Sequence, residues 1–95
     1  MSKPNSNDFY DRVDELIQVA NKQCDADDKG KVSASFLFAA SRFNTWVSAS
    51  GFETAALMQA NREELIQHFV QQYQAMLEDN LDEFIENFSD YLIKK

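Results

Sequence analysis

The stretch V-S-A-S-F-L-F-A-A-S-R-F-N-T-W-V-S-A-S-G, residues 32–51, decides the fold. Its apolar residues recur every three or four positions and form one stripe at helical period: Val32, Phe36, Ala39, Ala40, Phe43 and Val47. The opposite side is also poor in charge, because it carries Leu37, Phe38 and Trp46 among Ala, Ser and Thr. Since a helix that is apolar nearly all round is usually buried, we expect a central helix over about 32–50 with other helices packed around it.

The two ends of this central helix have their own signals. Ser33 is a good N-cap residue, because its hydroxyl can accept a hydrogen bond from a free N–H of the first turn. Gly51 can end the helix by taking the left-handed conformation that a residue with Cβ resists. The sequence therefore predicts a helix that begins after Ser33 and stops at Gly51.

Further helices are predicted on both sides of the central one. Asn7 or Asp8 can cap a first helix, whose apolar face is Phe9, Val13, Leu16, Ile17, Ala20 and Cys24. Asn61 with Glu64 resembles a capping box at the start of another helix, and residues 52–60 leave room for one or two helical turns. With two Gly and one Pro in the chain, we expect an all-α fold without a sheet, a small four-helix bundle. Residues 1–6 are predicted to be a disordered tail and residues 7–95 a single helical domain.

The helical pattern of residues 62–92 allows either one helix or two. Asn80 followed by Glu83 could cap a new helix, and a one-residue shift of the apolar register near Met76 and Leu77 favours a bend there. A continuous helix would be about 45 Å long, which exceeds the roughly 30 Å width of a domain this size. A break in the helix predicts a compact monomeric bundle. A continuous helix would extend beyond the bundle, and because its apolar end would need a second chain to cover it, it predicts a homodimer.

The charge of the chain excludes two classes of partner. The net charge is −7, and residues 61–95 alone carry eight acids and three bases. We therefore expect no nucleic-acid partner and no anionic membrane surface, because phosphate groups would repel the chain. No apolar run approaches the roughly 20 residues of a membrane span, the first residues lack a secretory signal, and the single cysteine cannot form an internal disulfide, so we expect a cytoplasmic protein.

No metal, cofactor or catalytic set is predicted. Asp25, Asp27 and Gly30 match three positions of a calcium-binding loop, but Lys29 and Phe36 stand where oxygen ligands are required. His68 is the only histidine, too few for a helix-bundle di-metal site, and acids beside Cys24 disfavour a reactive thiolate there. We therefore predict that the protein is not an enzyme and uses no cofactor.

Two groups of polar residues are candidates for function. Acidic side chains share one side of the last predicted helix: Asp79, Asp82, Glu83, Glu86 and Asp90. Such a stripe is usually a solvated face, but it could also dock a basic protein surface. Arg42 and Asn44 lie inside the most apolar helix, where we expect either a buried ion pair with a carboxylate or a contact to a ligand.

Three segments of the chain resemble a family of short, acidic bacterial proteins known only as a domain of unknown function. They are N-D-F-Y-D-R-V-D-E-L-I (7–17), G-K-V-S-A-S-F-L-F-A-A-S-R-F-N (30–44) and Y-Q-A-M-L-E-D-N-L-D-E-F-I-E-N-F (73–88). The resemblance covers most of the chain and implies a bacterial cytosolic protein. It carries no catalytic or binding residue across to this sequence.

These observations favour a small acidic helical module that binds another protein, acting as an adaptor or regulator. The partner would be a basic protein if the acidic stripe binds it, and a homodimer is allowed. The alternative is a small-ligand sensor or carrier, with a pocket beside the central helix between Phe38, Trp46 and aromatic residues of later helices.

Overall fold

The computed structural model describes residues 7–92, and over this range the chain is helical with no strand. Its helices are α1 (Asn7–Cys24), α2 (Lys29–Ala49), α3 (Ala55–Ala60), α4 (Arg62–Glu86) and α5 (Phe88–Leu92). The all-α prediction is therefore confirmed. The predicted tail, residues 1–6, lies outside the described residues. Contacts divide the chain into two units, with α1 and α2 before Gly51 and α3 to α5 after Phe52, and the single helical domain over 7–95 stays a prediction.

In the first unit, α2 begins earlier than the sequence predicted. The side chain of Asp28 caps the helix, because its Oδ2 accepts a hydrogen bond from the N–H of Lys31 at 3.3 Å. Asp28 has the extended backbone typical of an N-cap residue, with φ −66° and ψ 138°. Ser33 therefore lies inside α2, and the predicted cap at Ser33 is wrong. The loop between α1 and α2 is reduced to residues 25–28.

The other end of α2 also differs from the prediction. The helix ends at Ala49, and Ser50 keeps a right-handed backbone with φ −68° and ψ −10°. The Ser50 hydroxyl donates to the carbonyl of Val47 at 2.7 Å. Among the described glycines neither has a positive φ, so Gly51 does not take the left-handed conformation that we expected.

Burial along α2 is much lower than its composition suggested. Val32 is buried with 6% of its surface exposed, and Phe36 is half-buried. Phe43 and Trp46 are 63% and 65% exposed. Within its unit α2 contacts one helix, α1, and one neighbour cannot cover a helix that is apolar on most sides. The four-helix bundle around a buried central helix is therefore not confirmed.

In the second unit, a short helix precedes a long one. Thr54 caps α3 by accepting a hydrogen bond from the N–H of Leu57 at 3.1 Å. Asn61 does not cap α4 as predicted, because its side-chain Nδ2 donates backwards to the carbonyl of Leu57 at 2.9 Å. The Asn61 side chain thus stabilises the end of α3 instead of the start of α4.

The long helix α4 has 25 residues, which at 1.5 Å per residue is about 37 Å. It passes through Met76, Leu77 and Asn80 without ending, so the predicted bend and new cap in that region are wrong. The helix stops at Asn87, whose φ of −113° and ψ of 31° leave the helical region. Both the N–H and the Nδ2 of Asn87 donate to the carbonyl of Glu83, at 3.0 and 3.1 Å.

Candidate protein-interaction surface

Four of the five predicted acidic residues share one side of α4. Asp79, Asp82, Glu83 and Glu86 follow one another at intervals of three, one and three residues. At about 100° per residue, their directions fall within roughly 100° around the helix axis. All four are exposed, and we call them the acidic face. Asp90, which completed the predicted stripe, lies on α5, so the helical register that placed it with the others is interrupted at Asn87.

Glu83 differs from the rest of the acidic face because it also holds α5. The hydroxyl of Tyr91 donates to Oε2 of Glu83 at 2.5 Å. The Tyr91 ring stacks on Phe84, with ring centroids 4.0 Å apart and planes inclined by 14°. The hydrogen bond to Glu83, together with partial desolvation and the negative charges of Glu83 and Asp90, raises the pKa of Tyr91 above its ordinary value of 10.0. Glu83 is therefore a structural residue as well as a surface charge.

This junction between α4 and α5 was not predicted from the sequence. Its signal was present in the sequence, because Asn is a common residue at the end of a helix. A tyrosine four residues after that Asn, and eight after Glu83, can return to the end of the preceding helix once the backbone has turned. The assumption of one register through Asn87 hid this arrangement.

Arg42 and Asn44 are both exposed, although they were expected to be buried. They lie on opposite sides of the stripe that contains Val32 and Phe36, and Val32 is the residue of α2 that is buried. The ion pair found within residues 7–92 is elsewhere, between Arg62 Nη1 and Glu63 Oε2 at 3.0 Å. Arg42 and Asn44 are thus exposed and not buried, and their alternative role, a contact to a ligand, stays a prediction.

The residues considered for metal or thiol chemistry are scattered. Cys24 is half-buried at the end of α1, and His68 is exposed on α4, where its ring meets the edge of Phe69 with centroids 5.0 Å apart. The calcium-like segment is not one continuous loop, since residues 25–28 connect the two helices whereas Lys29 and Gly30 already belong to α2. Within residues 7–92 no three His, Cys, Asp or Glu side chains come together as metal ligands would.

The alternative ligand pocket was predicted beside the central helix, at Phe38 and Trp46. Both side chains are 65% exposed, and Trp46 makes a tilted contact with Phe43 at a centroid distance of 5.7 Å. An open groove lies along α1 instead, and none of its lining residues belongs to α2. The groove is lined by Glu15, Gln18, Val19, Asn21, Lys22 and Asp25.

None of the helices in the described range has the length and apolar character needed to cross a membrane.

The fold and surface thus define a small all-α protein whose polar residues form no cluster of metal ligands within the described range. Residues 9–85 match a family described as protein of unknown function (DUF3144), and the chain belongs to this family. The chain is similar to a solved structure, the NMR structure of the protein NB7890A from Shewanella sp. The two are 39% identical, the match covers 98% of this chain and 99% of that one, and the TM-score is 0.76. A comparison with curated proteins gave no match.

Proposed function

We propose that this protein is a non-enzymatic interaction module that binds another protein. The observation that carries the proposal is the unusual exposure of its apolar side chains. Val32 is buried, whereas 21 large apolar side chains within the described residues are more than 40% exposed. Isolated exposed apolar residues are normal, but extended apolar surfaces mark sites of protein association.

The acidic face is the part of the surface that we propose to select the partner. Its carboxylates are exposed on α4, and residues 63–92 contain no Lys or Arg that could neutralise them. A basic protein surface would complement this charge, speed encounter and fix the orientation of the complex. The residues concerned are Asp79, Asp82, Glu83 and Glu86, with Asp90 contributing from α5.

The proposed setting is the cytosol of a bacterium. The resemblance of the sequence to bacterial proteins and the single cysteine support it, since extracellular domains of this size usually need disulfides. The solved relative comes from Shewanella sp. The alternative of a ligand sensor has less support, because Phe38 and Trp46, the residues of α2 expected at the pocket, are both 65% exposed.

The test replaces Asp79, Asp82 and Glu86 together by Lys and leaves Glu83 intact, because Glu83 also anchors Tyr91. A matched control replaces three exposed acids of α1 by Lys: Asp11, Asp14 and Glu15. Proteins retained from a lysate of the natural host by the wild type and the control, but lost with the α4 variant, identify candidate partners. Each candidate is then purified and its affinity measured by isothermal titration calorimetry.

We expect the α4 variant to bind such a partner at least 10-fold more weakly, since three surface charge pairs contribute together about 1.5 kcal/mol or more. The control should bind within threefold of the wild type, and added salt should weaken only the wild type and the control. Equal binding by all three proteins, with circular dichroism spectra unchanged, would show that the acidic face is only a solvated surface.

A further inference from the structure

The helix that begins at Arg62 is interrupted at Asn87, although the sequence has no strong helix breaker there. Residues 62–92 contain neither Gly nor Pro. Asn87 leaves the helical region with a φ of −113° and a ψ of 31°. Backbone hydrogen bonding resumes directly afterwards, because the N–H groups of Asp90 and Tyr91 donate to the carbonyl of Asn87 at 3.0 and 3.3 Å. The interruption is therefore confined to one residue.

Two side-chain contacts of Tyr91 span this interruption. Its hydroxyl donates to Oε2 of Glu83, and its ring stacks on Phe84 with centroids 4.0 Å apart. On an uninterrupted α-helix, at 1.5 Å per residue, residue 91 would lie about 12 Å beyond Glu83 and about 10.5 Å beyond Phe84 along the axis. Since helical side chains lean towards the N-terminus, both rings would move the same way and stay about 10 Å apart. The stacked pair therefore requires the interruption.

The spacing of the acidic residues fits an uninterrupted helix better. Eleven residues turn an α-helix through about 1,100°, so on a continued α4 Asp90 would lie about 20° from Asp79 around the axis. It would then lie within the acidic face, whose members span roughly 100°. The interruption at Asn87 thus separates Asp90 from a group that its position in the sequence matches.

Backbone hydrogen bonding also favours continuation of the helix. The N–H groups of Phe88 and Ser89 begin α5 and have no acceptor carbonyl inside that helix. On a continued α4, both groups would donate to carbonyls four residues earlier. Continuation adds these two backbone hydrogen bonds. The interrupted form has instead the contacts of Tyr91 and the hydrogen bond from Asn87 Nδ2 to the Glu83 carbonyl at 3.1 Å.

We propose that Tyr91 is a latch: its contacts with Glu83 and Phe84 hold the interruption at Asn87, and when they are broken α4 continues through Asn87 to residue 92. Asp90 then joins the acidic face, which presents five carboxylates instead of four. The conformational change is a property of the chain alone, and only its consequence for a partner rests on the proposed function.

Glu83 connects the latch to a basic partner. Its carboxylate accepts the hydrogen bond of Tyr91 and also belongs to the acidic face. A Lys or Arg side chain of a partner forms a charge-assisted hydrogen bond with this carboxylate, which is stronger than the bond from a neutral hydroxyl. Binding at the acidic face therefore draws Glu83 away from Tyr91, releases the latch and adds the charge of Asp90 to the bound surface.

The test is NMR spectroscopy of the full chain without any partner. In the wild type we expect a nuclear Overhauser effect between the rings of Phe84 and Tyr91, and a Cα chemical shift of Asn87 outside the helical range. In Tyr91→Ala the shift of residue 87 should become helical. The amides of Phe88 and Ser89 should then exchange with solvent about fivefold or more slowly than in the wild type, because they gain backbone acceptors.

Ser89→Ala is the matched control. It raises the helix propensity of α5 as Tyr91→Ala does, but it leaves both contacts of Tyr91 in place. Its residue 87 should keep the wild-type chemical shift, and the ring contact should persist. A helical shift at residue 87 in this control would assign the change to propensity and would overturn the latch.

The other outcomes also decide the proposal. Faster amide exchange over residues 88–92 in Tyr91→Ala would show that Tyr91 only fastens a segment that otherwise unfolds, and would overturn the proposal. A residue 87 that stays non-helical in Tyr91→Ala, or a wild type without the ring contact, would overturn it as well. None of these measurements involves a partner, so the latch can fail while the proposed function stands.

A double variant checks that any protection comes from a helix through residue 87. Asn87→Gly in the Tyr91→Ala background should cancel the slower exchange of Phe88 and Ser89, because Gly disfavours a helix interior. Asn87→Ala in the same background should retain the slower exchange. Equal protection in the Gly and Ala double variants would contradict the continuation of α4.

Discussion

Replacement of Asp28 by Ala tests the local structure that starts α2. The mutation removes the carboxylate that accepts a hydrogen bond from the Lys31 N–H at 3.3 Å. Loss of an N-cap side chain typically costs about 1 kcal/mol, and this long hydrogen bond places the cost at about 0.5–1 kcal/mol. The negative charge at the positive end of the helix adds about 0.3–0.5 kcal/mol, because Asp28 is exposed and screened. We therefore expect a total loss of about 1 kcal/mol.

Urea denaturation followed by circular dichroism at 222 nm measures this loss at one fixed protein concentration. The corresponding decrease in Tm is about 4–8 °C for a chain of this size. Asp28→Asn keeps a capping oxygen and loses the charge, so it should recover most of the stability, and the remaining difference should fall in 0.5 M NaCl. Asp27→Ala removes a neighbouring exposed acid that does not cap α2, and serves as the control.

Ser33→Ala decides between the structure and the sequence-based expectation. If Ser33 were the N-cap, the substitution would cost about 1 kcal/mol. Because Ser33 lies inside α2, Ala should be neutral or stabilise by up to about 0.5 kcal/mol through its higher helix propensity. A large loss with Ser33→Ala, combined with equal stabilities for Asp28→Ala and Asp27→Ala, would refute the assignment of the cap.

Two further predictions concern Gly51 and Tyr91. Gly51→Ala should be tolerated or stabilise the protein by about 0.4–1 kcal/mol, measured by thermal unfolding. The φ angle of Gly51 is not positive, and an added Cβ would lie 3.5 Å from the Ser48 carbonyl oxygen, an ordinary contact distance. A loss above about 1 kcal/mol would instead indicate that residue 51 has a left-handed backbone. The Tyr91 hydroxyl should ionise above pH 10. Its ionisation is measured as the difference between the absorbance titrations at 295 nm of the wild type and Tyr91→Phe. Glu83→Gln should lower the pKa of Tyr91 towards 10.0. Since the folded-state pKa is raised, the stabilising contact with Glu83 is complete below pH 10 and is lost as the pH rises through that pKa; an ordinary pKa in the wild type would contradict the hydrogen bond.

Periodicity predicted the helices well because it depends only on local chain geometry. The apolar spacing of residues 9–24 and 65–77 indicated α1 and most of α4, and the short connection 52–60 contains α3 as one and a half turns. The caps were harder to predict, since Asp25, Asp27, Asp28 and Ser33 all have suitable side chains. Only the backbone conformation decides which of them accepts the hydrogen bond.

Burial and the candidate site could be predicted only in part. The pattern of α2 identified apolar residues such as Phe43 and Trp46, but a pattern does not specify what covers them, and both are exposed in the chain. Four of the five acidic residues that spacing grouped together lie on α4, and their role as an interaction surface stays a prediction. Asp90 was grouped with them because one helical register was assumed to continue through Asn87, where α4 ends. The link between Glu83 and Tyr91 depends on that end of the helix, so it could not be found from spacing alone.

The four-residue connection between α1 and α2 has a consequence for the rate at which the chain folds. A short loop has a low entropy of closure, so the two helices can meet almost as soon as each has formed. Elementary helix formation takes about a microsecond, and proteins dominated by local contacts fold within microseconds to milliseconds. The α1–α2 hairpin should therefore form early, and any slower phase whose rate rises with protein concentration would report the association of chains.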